Sequence, residues 1–320
     1  MPRKISRKDF LKMSLAGLAG LFLGSKLFKG GGEASAAPSV PAVFNGRVKK
    51  GIKGDYDLVV AKTGADPYEL TVKAVDGLGG MSRFVRKNDV VLIKPNIGWD
   101  RSPDQAANTN PQVIAALIDM SFKAGAKRVN VFDIPCNDPR RCYDNSGIKQ
   151  IAAQKGANVY YADEWNTVPM KLSYESPMNG WPILKDAIEC DTFINVPILK
   201  HHSLAGLTIS MKNLMGVCGG NRGQMHNGLS RKLVDLTDFM NPELTVVDAY
   251  RVLLRHGPVG GDLADVKRLD TIIAGTDPVL ADAYGAMLMD MDPMSLSVVK
   301  EAVSRGFGSA DIGKAKILTV

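Results

Sequence analysis

The chain has 320 residues, enough for one large core or two modest ones, and its 45% apolar and 23% charged content is ordinary for a globular protein. Its net charge of +7 invites a polyanionic partner, but residues 1–37 hold seven basic and two acidic side chains, so +5 sits there and only +2 remains for the rest. A nearly neutral body has no electrostatic footprint for a phosphate backbone, and no nucleic acid is expected as a partner.

The first 36 residues read as an export signal. Ser6-Arg7-Lys8-Asp9-Phe10-Leu11-Lys12 departs from the twin-arginine pattern only by Lys8, Met13 to Leu23 is uncharged and apolar, and Ala34-Ser35-Ala36 is a small-residue cleavage site. The apolar run is shorter than the ~20 residues a bilayer span needs, so no stable membrane span is expected after cleavage. The expected location is exported, periplasmic or otherwise extracytoplasmic, with the export machinery as partner. The twin-arginine and general secretory routes both stay open, and an uncleaved leader would act as a tether. Residues 37–54, rich in Gly, Ala, Pro and Lys, read as a linker. Residues 55–320 read as one α/β domain with elaborated loops.

Within that domain, short apolar runs alternate with longer amphipathic segments. Strands are expected at 57–61, 90–93, 128–134, 157–162, 193–196, 244–247 and 269–274, with an additional one at 168–174. Helices are expected at 68–78, from Asn110-Pro111 to Gly125, and at 145–155, 181–188, 229–240, 278–289 and 296–303. Asn110 as cap and Pro111 in the first turn mark one start, and Gly125 and Gly156 mark two ends. Strands apolar on both faces and separated by helices give an α/β fold, a mostly parallel sheet with helices on both sides.

In such a sheet the carboxyl ends of the strands share one edge, where ligands are held. Lys94 and Asn96, Asp133, the run Lys200-His201-His202, Asp248, and Thr276-Asp277 all follow apolar strands, and on this fold they meet at one crevice. The four cysteines, Cys136, Cys142, Cys190 and Cys218, form no C-x-x-C pair, so no iron–sulfur cluster or structural zinc is expected. Cys136 and Cys142 read either as a local disulfide or as two ordinary thiols.

The chain resembles the family called domain of unknown function 362 over about residues 90–305. The resemblance rests on Lys94-Pro95-Asn96, Thr109-Asn110-Pro111, Val196 to His202, Thr208 with Met211 to Gly216, His226, Val247-Asp248-Ala249, Gly257-Pro258 with Gly260, and Asp277 to Asp282. Some relatives carry a ferredoxin-like module; this chain has no such cysteine run. The resemblance implies where a site lies and implies no reaction.

Three lysines, Lys94, Lys200 and Lys212, suit an anionic group as point charges, and a strand-end lysine also suits general-base or Schiff-base chemistry. With His201 they are the candidate catalytic groups; solvated or ion-paired lysines are the plainer alternative. His202, His226, Asp248 and Asp282 make an N/O ligand set for a divalent transition metal, against loop histidines that merely bond backbone. Asn96, Asn213, Gly219, Gly220 and Asp277 are the candidates for holding a cofactor, whose identity the sequence leaves unknown. The loop Gly216 to Gly223 lacks the Gly-Lys-Ser/Thr of a nucleotide loop and reads as a flexible lid. The resulting expectation is an exported enzyme acting on a small anionic substrate, metal-assisted if the ligand set holds. The alternative is a non-catalytic ligand- or cofactor-binding accessory of an exported redox or maturation system.

Overall fold

A computed structural model describes residues 45–50, 54–62 and 66–320. The expected export signal and most of the expected linker lie outside the described residues. Residues 45–50, inside that linker, run along the domain. Arg47 pairs with Glu243 at 3.0 Å and donates to the Cys190 carbonyl at 2.7 Å, and Lys50 pairs with Asp89 at 2.6 Å.

The chain begins with β1 (Leu58–Lys62), α1 (Pro67–Gly77), β2 (Val90–Lys94), α2 (Pro111–Lys123) and β3 (Arg128–Val131). It continues through α3 (Pro139–Asn145), α4 (Ile148–Gln154), β4 (Asn158–Val159), β5 (Thr167–Pro169), β6 (Pro182–Leu184), α5 (Lys185–Glu189) and β7 (Thr192–Asn195). The hairpin β8 (Ile198–His202) and β9 (Gly206–Thr208) leads to α6 (Ser210–Asn213) and α7 (Leu229–Met240). The long strands β10 (Leu244–Leu253) and β11 (Val266–Gly275) precede α8 (Pro278–Leu288), α9 (Ser297–Ser304) and β12 (Ile317–Thr319).

Ten strands form one sheet in the order β12-β1-β11-β10-β7-β2-β3-β4, with β8 beside the outer half of β10 and β9 beside β8. Most pairs are parallel; β11 runs against both its neighbours, β10 and β1. Side chains alternate across the sheet with the strand period. Val91 and Ile93 pack under α1, α2 and α4, while Leu92 faces the layer of α7, α8 and α9. Val59 and Val60, Ile194 and Phe193, and Val246 and Val247 divide in the same way. Asp66-Pro67, Asn110-Pro111, Asp138-Pro139 and Asp277-Pro278 all start helices alike: the Asx side chain accepts from the first turn, and proline supplies no amide that would go unbonded.

Several expected boundaries shift. The helix expected at 145–155 is α4 and starts three residues later, at Ile148, because Gly147 takes φ 72° and turns the chain; α3 before it was not expected. The strand expected at 168–174 is cut to β5 in a separate two-stranded sheet with β6, so the expected helix 181–188 begins as strand and only α5 is helical. Edge strand β4 keeps two residues of the six expected. The four cysteines are free thiols, so the local disulfide does not form. Among the described residues no helix is long and apolar enough to cross a membrane.

Candidate functional site

The carboxyl ends of β2 and β3, together with β8, α6 and the loop Leu214–His226, line a cavity of about 400 Å³. It lies where a parallel sheet exposes its strand ends. Lys94, the last residue of β2, is fully buried, and its ammonium pairs with Asp133 just past β3 at 2.7 Å. It also donates to the Pro95 carbonyl at 2.6 Å and to Asn213 Oδ1 at 3.2 Å. Burial pushes the Lys94 ammonium below the ordinary lysine value, and Asp133 pulls it back. Gly216 closes over this pair: a Cβ there would lie 1.8 Å from Asp133 Oδ1 and 2.6 Å from Lys94 Nζ, so only glycine fits.

Lys200 enters from β8. Its ammonium donates to Asn96 Oδ1 at 3.1 Å, to the Pro258 carbonyl at 3.3 Å and to the Ala107 carbonyl. Burial above all, with Lys212 and Lys94 nearby, pushes this ammonium down to about 7 against the opposing pull of Cys136 and Asp133. The asparagines knit the floor. Asn96 Nδ2 donates to Asn213 Oδ1 at 3.0 Å, and Asn213 Nδ2 donates to Asn195 Oδ1 at 2.9 Å. Asn213 is thereby a buried brace whose amide is spent on protein partners, and both it and Asn96, beside Lys200, line the cavity.

Lys212, near the end of α6, is lowered to about 8, chiefly by burial, and its ammonium has no hydrogen-bond or ion-pair partner among the described residues. Arg222 spans the Ile134 and Pro135 carbonyls at 2.8 and 2.7 Å. Asp133 is the only carboxylate on the described lining and is matched by Lys94, so Lys200, Lys212 and Arg222 leave the cavity with uncompensated positive charge.

Strand alternation separates the two adjacent histidines. Lys200 and His202 point into the cavity, and His201 points away, where its Nδ1 accepts from the Gly257 amide at 3.1 Å. His201, expected among the catalytic groups, therefore does not join Lys94, Lys200 and Lys212. His202 Nδ1 accepts from the Leu204 and Ala205 amides at 3.2 and 3.3 Å. His226 stands opposite, with ring centroids 6.2 Å apart and its own Nδ1 3.1 Å from the Gly223 carbonyl. Burial first, then the lysines, lower His202 to about 3, so its ring is neutral.

The expected metal set does not assemble. Asp248 is buried under the start of α2 and accepts from the Asn110 and Tyr250 amides at 2.7 and 3.0 Å. Asp282, inside α8, accepts from the Ser210 and Met211 amides at 2.6 and 3.3 Å and caps α6. Neither lines the cavity. A metal-bound imidazole donates its second N–H outward; His202 instead accepts at its second nitrogen, which leaves the proton on the nitrogen a metal would need. No group of three or more His, Cys, Asp or Glu side chains suited to a metal occurs among the described residues.

Asp277 is also elsewhere. It caps α8 and lines a separate depression with Asp57 and Lys314. The reason is direction: β11 is antiparallel, so its carboxyl end lies at the edge opposite the cavity. Gly219 and Gly220 pack on β5 and β6 beside Thr167 and Pro182 rather than on the cavity. Sequence reasoning passed over Trp99 and Cys136 as lining residues, and took Gly216 and Arg222 only as parts of a loop. The run Met211 to Gly216 was the available signal for Gly216; Trp99 and Cys136 come from loops with no periodicity to read.

Residues 91–287 match the family described as domain of unknown function, DUF362. The chain belongs to this family. A thylakoid-associated protein of Synechocystis sp. is 26% identical over 239 residues, covering 69% of this chain and 70% of that protein. Among solved structures, the lactate racemase apoprotein from Thermoanaerobacterium thermosaccharolyticum aligns at TM-score 0.42 and 13% identity, over 72% of this chain and 56% of that one. A protein from Thermotoga maritima aligns at TM-score 0.41 and 10% identity, over 71% and 60%. This DUF362 chain thus spans less than two thirds of either solved structure.

Proposed function

We propose that this DUF362 protein is an enzyme that binds a small anionic substrate in the strand-end cavity and moves a proton on it with Lys200. The observation that carries the reading is the charge of the lining: three cationic side chains without a carboxylate partner, in about 400 Å³. Lys212 supplies the unengaged ammonium that an incoming carboxylate or phosphate neutralises. In a half-dry cavity that pairing is stronger than at an open surface. Lys200 sits near 7, where a group can both give and take a proton at neutral pH. Asn96 holds the Lys200 ammonium, and Asp282 fastens the turn that carries Lys212.

A non-catalytic ligand-binding role has one specific support, the three acceptors around the Lys200 ammonium, which suit a permanently held charge. Calorimetric titration of the full chain with acetate, succinate and phosphate, followed by turnover assays over a panel of small acids, tests both. Lys212→Met is expected to weaken anion binding by about tenfold or more, and Lys200→Met to abolish turnover while anion binding persists. Wild-type protein that binds none of these anions overturns the reading. Binding without turnover across the panel selects the ligand-binding role.

A further inference from the structure

We infer that His202 and His226 form a fixed donor–acceptor pair that selects, among small anions, one carrying a hydroxyl group. This rests on the anion-binding reading of the cavity and adds what else the ligand must present. The two imidazoles are locked in opposite tautomers by backbone. Two amides, of Leu204 and Ala205, donate to His202 Nδ1, so the proton of that neutral ring is on Nε2. A carbonyl, that of Gly223, faces His226 Nδ1 and can only accept, so in the neutral ring Nδ1 carries the proton and Nε2 offers a lone pair.

Both rings line the cavity, and neither Nε2 has a protein partner among the described residues. The centroids are 6.2 Å apart and the planes 30° from parallel, so the two rings flank the same part of the cavity. A carbonyl or ether oxygen satisfies His202 and leaves His226 facing another lone pair. A carboxylate oxygen does the same with added repulsion. An ammonium satisfies His226 alone and is repelled by Lys200 and Lys212. A hydroxyl satisfies both: its oxygen accepts from His202 Nε2–H, and its proton goes to His226 Nε2. Burial and the two lysines on the lining, Lys212 and Lys200, keep the His202 ring neutral and its donor constant, and no carboxylate faces it to reverse this.

Two measurements on the full chain test this. Long-range 1H–15N correlation spectra of the unliganded protein are expected to show His202 as the Nε2–H tautomer and His226 as the Nδ1–H tautomer; the reverse at either ring overturns the inference. Calorimetry then compares glycolate with acetate and malate with succinate. The hydroxylated member is expected to bind about tenfold tighter, and His226→Phe is expected to cut that preference by about fivefold while leaving acetate and succinate binding in place. His226 is half-buried on a short turn, so this variant folds even if a His202 variant, which orphans two amides, does not. Equal binding of the paired acids overturns the hydroxyl selection alone. Failure of all four acids to bind overturns the anion reading and this inference with it.

Discussion

Gly216 shows how one missing carbon sets the site. Its Cα hydrogen faces the Lys94–Asp133 pair, and a methyl group there would drive into the carboxylate. Breaking a buried ion pair costs more than either charge contributes, because the partner left behind is desolvated and unpaired. Gly216→Ala is expected to destabilise the protein by about 3 kcal/mol or more, read as a drop in the urea midpoint. The same scale explains why His201 and His202, adjacent and chemically identical, part company. A strand turns successive side chains to opposite faces, so the run Lys200-His201-His202 delivers its first and third members to the cavity. The sequence displays that run plainly; reading it as a strand rather than a loop is what separates its members.

At the level of elements, the carboxylates expected to bind metal turn out to fasten helices. α6 is a single short turn that carries Lys212 and Asn213, and no side chain of its own caps it. Asp282 of α8 reaches across and accepts its first two amides, which ties the cation-bearing turn to the core. Asp282→Ala leaves two buried amides without acceptors and is expected to cost roughly 2 kcal/mol or more in unfolding free energy. In ligand titrations the same variant is expected to weaken anion affinity through Lys212 without abolishing it. Asp248 accepts the amide of Asn110, the residue that caps α2, and so ties that helix start to β10. Asp277 is carried to the other edge by the reversal of β11, and alternation of apolar runs does not reveal strand direction.

Across the molecule, buried ionisable groups set how stability depends on pH. Lys200 lies near 7 in the folded chain against 10.5 for a free lysine. Between those values the unfolded chain holds a proton that the folded one has released, so stability rises with pH there and the burial cost is present in full below about 7. Asp282 is opposite in sign: raised from 3.8 to about 8, it keeps a proton the unfolded chain has lost, and stability falls as pH rises through that range. The two costs overlap near neutral pH. The urea midpoint of the wild-type protein is expected to climb between about pH 8 and 10, and Lys200→Met to be more stable near pH 7 and to climb less. An unchanged slope in that variant would place the titrating group elsewhere.

The sequence by itself determined the α/β class, the helix start at Asn110-Pro111, the doubly buried apolar strands, and the placing of Lys94 at a strand end, because those features are written in local periodicity and cap chemistry. Tertiary structure alone decided which of those residues share a cavity. Strand direction, the turn of a side chain to one face or the other, and the capture of a carboxylate by a distant helix end are relations between segments, and no segment carries them in its own residues.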